Sequence, residues 1–255
     1  MMKIYADERR ELILSYLSIN KRATVKQLSD YANVSEATIR SDLSALQQEQ
    51  KLERTHGGAK LIKSNTNNIN FNERRNQHHR AKEKIGQHAL KKIENHQCIL
   101  LDASSTTYEL AKVLADTDLQ LTVLTNGLEN AILLKENPNL TVLMIGGFVT
   151  KGSNAITGKL DSQILDIYNI DYFFVSANGF TVKNGLTDFS FSEVELKKVM
   201  ASQSTYVVAL LDHSKFNVSS TLSFAKTTEI DEIITDKPLS KEFMEATSVE
   251  ITIAE

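Results

Sequence analysis

The chain has 255 residues, 41% hydrophobic and 24% charged, with a formal net charge of −3. This is the make-up of a globular protein with a core, not of a fibre, a disordered tail or a polybasic coat for nucleic acid. At ~150 residues per domain, one large domain or a small one joined to a larger one both fit.

No apolar run approaches the ~18 residues of a membrane helix, and the amino terminus becomes charged before a signal-peptide core forms. A cytoplasmic protein with no membrane partner is expected. The single cysteine, Cys98, excludes an intrachain disulfide and reads as core filling within an apolar run.

Over residues 7–20, Leu12, Ile13, Tyr16 and Leu17 recur at helical spacing, with Asp7 ahead of them as a cap. Thr24 followed by Gln27 has the form of a capping box, opening a second helix that turns Val25, Leu28 and Tyr31 inward and stops near Asn33. Ser35 caps a third, whose apolar face is Ile39, Leu43 and Leu46. Two short helices meeting at a tight turn outline a helix-turn-helix. Residues 52–61 then read as two short strands about Gly57-Gly58, a hairpin that makes the motif winged.

With Ile39, Leu43 and Leu46 inward, Ala37, Arg40, Ser41 and Ser44 face the other way, with Thr38 on the flank. A helix fits the DNA major groove, where an arginine donates two hydrogen bonds to a guanine edge, and Arg40 is the candidate. Ser35, Thr38 and Ser41 offer hydroxyls to phosphates or base edges, while Arg54, His56 and Lys60 on the wing would add phosphate or minor-groove contacts. Residues 1–60 hold ten Lys plus Arg against eight Asp plus Glu, so charge alone argues weakly for DNA. A plain solvated face, with Asp42 paired to Arg40 or a neighbour, is the alternative.

Val34-Ser35-Glu36-Ala37-Thr38-Ile39-Arg40-Ser41-Asp42-Leu43, followed by Arg54-Thr55-His56-Gly57-Gly58-Ala59, resembles the signature of the DeoR family of bacterial transcriptional regulators. Ser41 stands where members usually carry a second arginine.

The stretch after the wing is crowded with Ser, Thr and Asn and reads as a linker. A helix-rich lead-in over 75–93 follows. Strand patterns at 97–102, 119–125, 140–146, 172–177, 205–212, 233–236 and 249–253 then alternate with helical ones at 107–115, 128–136, 160–168, 192–202 and 240–246. Such alternation predicts a Rossmann-like α/β domain with a mostly parallel sheet, whose ligands bind beyond the carboxyl ends of the strands.

Several of those ends carry binding chemistry. Asp102-Ala103-Ser104-Ser105-Thr106-Thr107 opens a helix with hydroxyls beside its first amides, suited to a phosphate or to ordinary capping. Thr125-Asn126-Gly127 and Ile145-Gly146-Gly147 let a ligand approach the backbone, and Ser176-Ala177-Asn178-Gly179 adds a third such turn. Asp212 and Lys215 follow an apolar strand, as a sugar-hydroxyl acceptor and a phosphate partner or as an internal ion pair. Lys82 and Lys84 lie on the lead-in helix. His78 and His79 diverge on a helix without matching partners, so no metal is expected. Neither G-x-x-x-x-G-K-S/T nor G-x-G-x-x-G occurs, so no nucleotide cofactor is expected.

This half also resembles the DeoR family along essentially its whole length, with Ser104 where members commonly have glycine. The resemblance implies a fold similar to ribose-5-phosphate isomerase and an effector crevice for a phosphorylated sugar. Its residues would be Lys82, Asp102, Ser104, Ser105, Thr106, Thr107, Asn126, Gly146, Gly147, Asn178, Asp212 and Lys215.

The expected organisation is a winged helix-turn-helix domain over 1–62, a linker over 63–71 and an effector domain over 72–255. The expected function is operator binding as a homodimer or homotetramer, controlled by the effector. The rival is a sugar-phosphate isomerase with a DNA-binding appendage, which needs a carboxylate general base. The similar isomerases carry acids where Ser176-Ala177-Asn178-Gly179 stands here; Asp188 and Glu193 remain nearby, and no catalytic residue is assigned.

Overall fold

The computed structural model describes residues 6–20, 22–48, 52–55, 57–61, 71–158 and 162–255. The chain divides into two compact units, Met1–Asn68 and Ile69–Glu255.

In the first unit α1 (Ala6–Asn20), β1 (Arg22–Thr24), α2 (Val25–Ala32) and α3 (Glu36–Gln48) precede β2 (Leu52–Thr55) and β3 (Gly58–Leu61). The capping box forms: Thr24 Oγ1 accepts from the Gln27 amide at 3.2 Å, and Gln27 Oε1 accepts from the Thr24 amide at 2.9 Å. Asn33, at φ 51°, supplies the left-handed residue that ends α2. Ile13, Leu17, Leu28, Ile39, Leu43 and Leu46 are fully buried, at about 1.5–3 kcal/mol per side chain.

Three expectations are corrected here. The first helix begins at Ala6, so Asp7 lies within it. Tyr31 is 51% exposed and leans on Tyr16, ring centroids 4.8 Å apart, instead of entering the core. The wing hairpin gains a third strand, in the order β1-β3-β2, because 22–24 pairs with β3. That pairing brings Gly58 so close to β1 that a Cβ there would lie 2.0 Å from the Ala23 carbonyl oxygen.

The second unit opens with α4 (Phe71–Asn76) and α5 (His79–Leu90). The lead-in, expected as helix-rich over 75–93, is interrupted at His78, whose φ is 54°, and Phe71, placed in the linker by sequence, starts α4 and is buried. The remaining linker positions, 63–70, lie outside the described residues.

Next come β4 (Cys98–Leu101), α6 (Ser105–Ala115), β5 (Leu121–Thr125), α7 (Leu128–Leu134), β6 (Leu140–Met144), β7 (Phe148–Val149), β8 (Ile156–Thr157) and β9 (Ile170–Val175). β10 (Gly179–Thr181), β11 (Gly185–Asp188), α8 (Phe191–Ser202), β12 (Ser204–Leu210), β13 (Leu222–Ala225), β14 (Glu232–Thr235), α9 (Lys241–Ala246) and β15 (Glu250–Ile253) complete it.

The seven expected strands form one sheet in the order β15-β14-β12-β9-β4-β5-β6, parallel at every pairing. Leu100, Phe173 and Ala209 enter one core, while Ile99, Leu101, Phe174 and Val208 enter the other. Burial on both faces explains why these segments are continuous apolar runs. Residues 160–168, expected as an α-helix, contain the 3-10 helix Ser162–Ile167 among those described. The stretch after β9 is not simply loop: β10, β11 and β13 build a small antiparallel sheet. No helix among the described residues is long and apolar enough to cross a membrane.

In the first unit Asp42 is buried on α3, and its carboxylate binds Arg9 of α1 at 2.5 Å. Asp42→Ala removes the buried carboxylate that faces Arg9 and Arg10 and is expected to destabilise the unit by about 1.5–3 kcal/mol. Hydrogen exchange of α1–α3 in the full chain checks this; unchanged protection would contradict it.

Candidate functional site

On α3 the amide of Thr38 donates to Ser35 Oγ at 3.2 Å, and the two hydroxyls lie 2.9 Å apart. Ala37, Arg40 and Ser41 are exposed, and Thr38 is half-buried. The partner of Arg40 is Glu36, one turn back at 2.8 Å, and not Asp42. Arg54 donates to Ser44 Oγ at 3.0 Å, and Ser44 donates to the Arg40 carbonyl at 2.8 Å, tying the wing to α3. Lys60 is exposed on β3 and pairs with Glu53 at 3.1 Å. His56 lies outside the described residues.

The second candidate site lies where the sheet order reverses. From β4 the chain moves outward through β5 and β6, whereas β9, β12, β14 and β15 lie on the other side, so a crevice is expected beyond the carboxyl ends of β4 and β9. A cavity stands there. Lys82, Asp102, Ser104, Ser105, Thr106, Asn126, Asn178, Asp212 and Lys215 line it, as expected from sequence.

Thr107, Gly146 and Gly147 do not. The Thr107 hydroxyl is spent on Asp102, 2.8 Å from Oδ1, within the turn that starts α6. A Cβ on Gly147 would lie 2.3 Å from the Thr157 carbonyl oxygen, so that glycine admits the β8 segment, not a ligand. Lys84 is likewise absent from this wall.

Arg74, Gln77 and Lys197, which sequence reasoning missed, also line the cavity, together with His78, Ser176, Asp188 and Glu193, which it named but did not place among the effector residues. A sign of Lys197 was available: it falls on the α8 stripe with buried Val194, where a lysine has no reason to be unless it is paired.

The floor is a closed ionic network. Lys197 Nζ donates to the Ser176 carbonyl at 2.9 Å and Asp188 Oδ2 at 3.0 Å, and lies 3.1 Å from Asp102 Oδ2. Asp102, with no exposure, also accepts from the amides of Ser104 at 3.0 Å and Ser176 at 3.3 Å. Asp188 accepts from Asn178 and from the Phe189 amide. Burial opposes the Lys197 charge, but Asp188, Asp102 and Glu193 outweigh it and raise its pKa above the ordinary lysine value. Burial likewise opposes the Asp188 charge, and Lys197 leads the interactions that hold its pKa below the usual carboxylate value.

The other groups are less committed. Lys82 Nζ donates to the Arg74 carbonyl at 2.5 Å and to Ser105 Oγ at 3.0 Å. Burial pushes it down to about 8, Lys215 and Arg74 adding repulsion while Asp212 opposes the fall. Asp212 Oδ1 accepts from the Ser214 amide at 2.9 Å, whereas Oδ2 is buried with no protein partner. Burial resists ionisation of Asp212, but Ser214, Lys215 and His78 together lower its pKa. Among the described residues Lys215 Nζ has no hydrogen-bond or ion-pair partner.

Free donors and acceptors thus meet at the start of α6, where the first amides have no intrahelical partner. The arrangement can hold an anion on Lys82, Lys215 and α6, and a hydroxyl on Asp212.

A winged helix-turn-helix joined to such a domain is the make-up of a ligand-responsive DNA-binding regulator. Residues 9–65 match the DeoR-like helix-turn-helix domain, and 77–237 match the DeoR C terminal sensor domain. The chain is 43% identical over 252 residues to the HTH-type transcriptional regulator GolR of Listeria innocua, covering 97% of this chain and 98% of that protein. It is 30% identical over 255 residues to the HTH-type transcriptional repressor GlcR of Bacillus subtilis, covering 99% and 98%. Ribose 5-phosphate isomerase from Plasmodium falciparum overlaps 55% of this chain and 54% of its own, at 16% identity and a TM-score of 0.40. The chain belongs to the DeoR family of transcriptional regulators.

The depressed Lys82 gives a pH signature. Between about 8 and its ordinary value of 10.5 the folded chain has lost a proton that the unfolded chain keeps, so Lys82 adds stability as pH rises through that window. The raised Lys197 contribution is lost only above 10.5. Urea unfolding at pH 7.5 and 9.5 is expected to show a smaller pH-linked gain in Lys82→Met than in the parent; an equal gain would contradict the assignment.

Proposed function

We propose that this regulator represses a sugar-uptake or sugar-catabolic operon and that a phosphorylated sugar in the crevice releases it from operator DNA. The observation that carries the reading is the buried, unpartnered Asp212 Oδ2 in one cavity with the uncommitted Lys215. A carboxylate oxygen left so is costly unless a donor reaches it, and a sugar hydroxyl is such a donor. Lys215, Lys82 and the first turn of α6 supply the phosphate end.

DNA is read by α3 with Arg40 as the base-contacting arginine, Ser35, Ala37, Thr38 and Ser41 beside it, and Arg54, His56 and Lys60 on the backbone. Paired half-sites about one helical turn (~34 Å) apart require paired recognition helices, hence a homodimer or homotetramer.

Coupling uses the hydrogen bond that Lys82 donates to the Arg74 carbonyl. A phosphate drawing Lys82 to itself competes with that carbonyl, loosening α4, the first described helix after residues 62–70. A tenfold preference for the released arrangement supplies ~1.4 kcal/mol per site.

The reading is of a sensor: Asp102 and Asp188 are bound to Lys197 and unsuited to take a proton from carbon, so the rival isomerase would have to use Glu193 or Asp212 as its base. An assay of ribose 5-phosphate isomerisation run beside thermal-shift measurements separates the two. Stabilisation without turnover supports the sensor, and turnover would overturn it.

Arg40→Ala is expected to cost about 1–3 kcal/mol of operator binding with ligand stabilisation retained; gel-shift titration and thermal shift check the two halves. Lys215→Ala is expected to bind operator normally and resist release by the sugar phosphate. A normally inducible variant would remove Lys215 from the site.

A further inference from the structure

The carboxyl rim of the large sheet holds a second hollow, of about 560 Å³, between the α4–α5 junction and the turns that follow β12 and β14. His78 lines both this hollow and the crevice, whereas Lys82, Asp102, Asp212 and Lys215 line the crevice alone.

The wall of the hollow is cationic. Arg80 and Lys84 stand one turn apart on α5, and Lys237 comes from the turn after β14, so two separate segments bring three cations to one concavity. Among the described residues Arg80 and Lys84 have no hydrogen-bond or ion-pair partner. The one carboxylate of the wall among those residues, Asp236, is taken up by His213, whose amide donates to Oδ1 at 2.7 Å and whose ring Nδ1 donates to Oδ2 at 2.8 Å. His213 Nε2 is then the acceptor that Lys237 Nζ meets, at 3.4 Å, so that lysine is aimed by an imidazole and not neutralised by an acid.

Like charges one turn apart on a helix repel. The chain has more Asp plus Glu than Lys plus Arg, 32 against 29, yet it places no open carboxylate in this wall among the described residues. An anionic ligand would relieve the repulsion. Guanidinium and ammonium groups hold phosphoryl oxygens by charge-assisted hydrogen bonds, and a hollow of this volume is of small-ligand size. Its described lining has no Phe, Tyr or Trp to stack a nucleotide base and no carboxylate left to accept from sugar hydroxyls, so the occupant that fits is a compact phosphoryl anion.

We propose that this hollow is a second anion site, separate from the effector crevice, which takes a compact diphosphate-type anion on Arg80, Lys84 and Lys237. It stands whether or not the crevice holds a sugar phosphate.

Calorimetric titration of pyrophosphate into the full chain, in buffer free of divalent metal, tests it. The parent is expected to bind, Lys84→Gln combined with Lys237→Gln to weaken binding at least tenfold, and Arg80→Gln alone to weaken it at least threefold. These three side chains are exposed, and an unchanged melting midpoint without ligand checks that the variants remain folded. Lys215→Ala, which alters the crevice, is expected to keep the parental affinity within twofold. So is Lys91→Gln combined with Lys198→Gln, which removes two exposed lysines outside the hollow. A parent that does not bind pyrophosphate, hollow variants that bind it as tightly as the parent, or equal weakening by the Lys91 and Lys198 pair would overturn the site. Loss of binding in Lys215→Ala would put the anion in the crevice and overturn it as well.

Discussion

The larger unit is organised by a carboxylate that never meets water. Asp102 follows β4 and has no exposure, a position that costs several kcal/mol for an ion unless its oxygens are fully occupied. They are: Ser104 and Thr107 hold one oxygen, and Ser176 and Lys197 the other. These partners come from α6 and its cap, from the turn after β9 and from α8. One side chain therefore fixes the two strand ends between which the sheet order reverses, and with them the floor of the crevice.

That fixity separates the cavity into groups that build it and groups that remain available. Asp102, Asp188, Asn178 and Lys197 satisfy one another, so little ordering is left for a ligand to impose on that side. Asp212 Oδ2 and Lys215 have no such partners. Lys82 stands between the two conditions, bound to a main-chain carbonyl and to Ser105 but at the edge of losing its proton. A group so poised responds more to a nearby anion than a fully solvated lysine does, since burial has already weakened its hold on charge.

The sequence was most readable where local chemistry decides the outcome. The capping pairs Thr24–Gln27 and Ser35–Thr38 and the buried stripe Ile39, Leu43, Leu46 outline the helix-turn-helix without tertiary information. The seven core strands announce themselves because both faces are covered. What failed depends on distant partners. Strands β10, β11 and β13 are three or four residues long, and Leu186 of β11 finds its partner Ala225 thirty-nine positions away. Tyr31 carries the spacing of a core residue, yet its ring leans on Tyr16 near the surface. The DASSTT turn lies at the cavity, but its pattern does not show the division of labour within it: Ser104 caps α6 and also lines, Ser105 and Thr106 line, and Thr107 turns its hydroxyl back to Asp102. Lys197, Glu193 and Arg74 lie on helices that pattern alone assigns to packing or solvent.

The Glu36–Arg40 pair on α3 gives the exposed helix face a nearly neutral resting state. An exposed pair one turn apart holds by only about 0.3–0.5 kcal/mol, so Arg40 leaves it at small cost when a better acceptor presents itself. The carboxylate left behind is unfavourable beside a phosphate oxygen wherever the helix merely rests on the duplex backbone. On the proposed reading of α3, loose, sequence-blind association is discouraged by the same residue that releases the arginine to a well-fitted base edge, and the helix thereby trades general adhesiveness for discrimination.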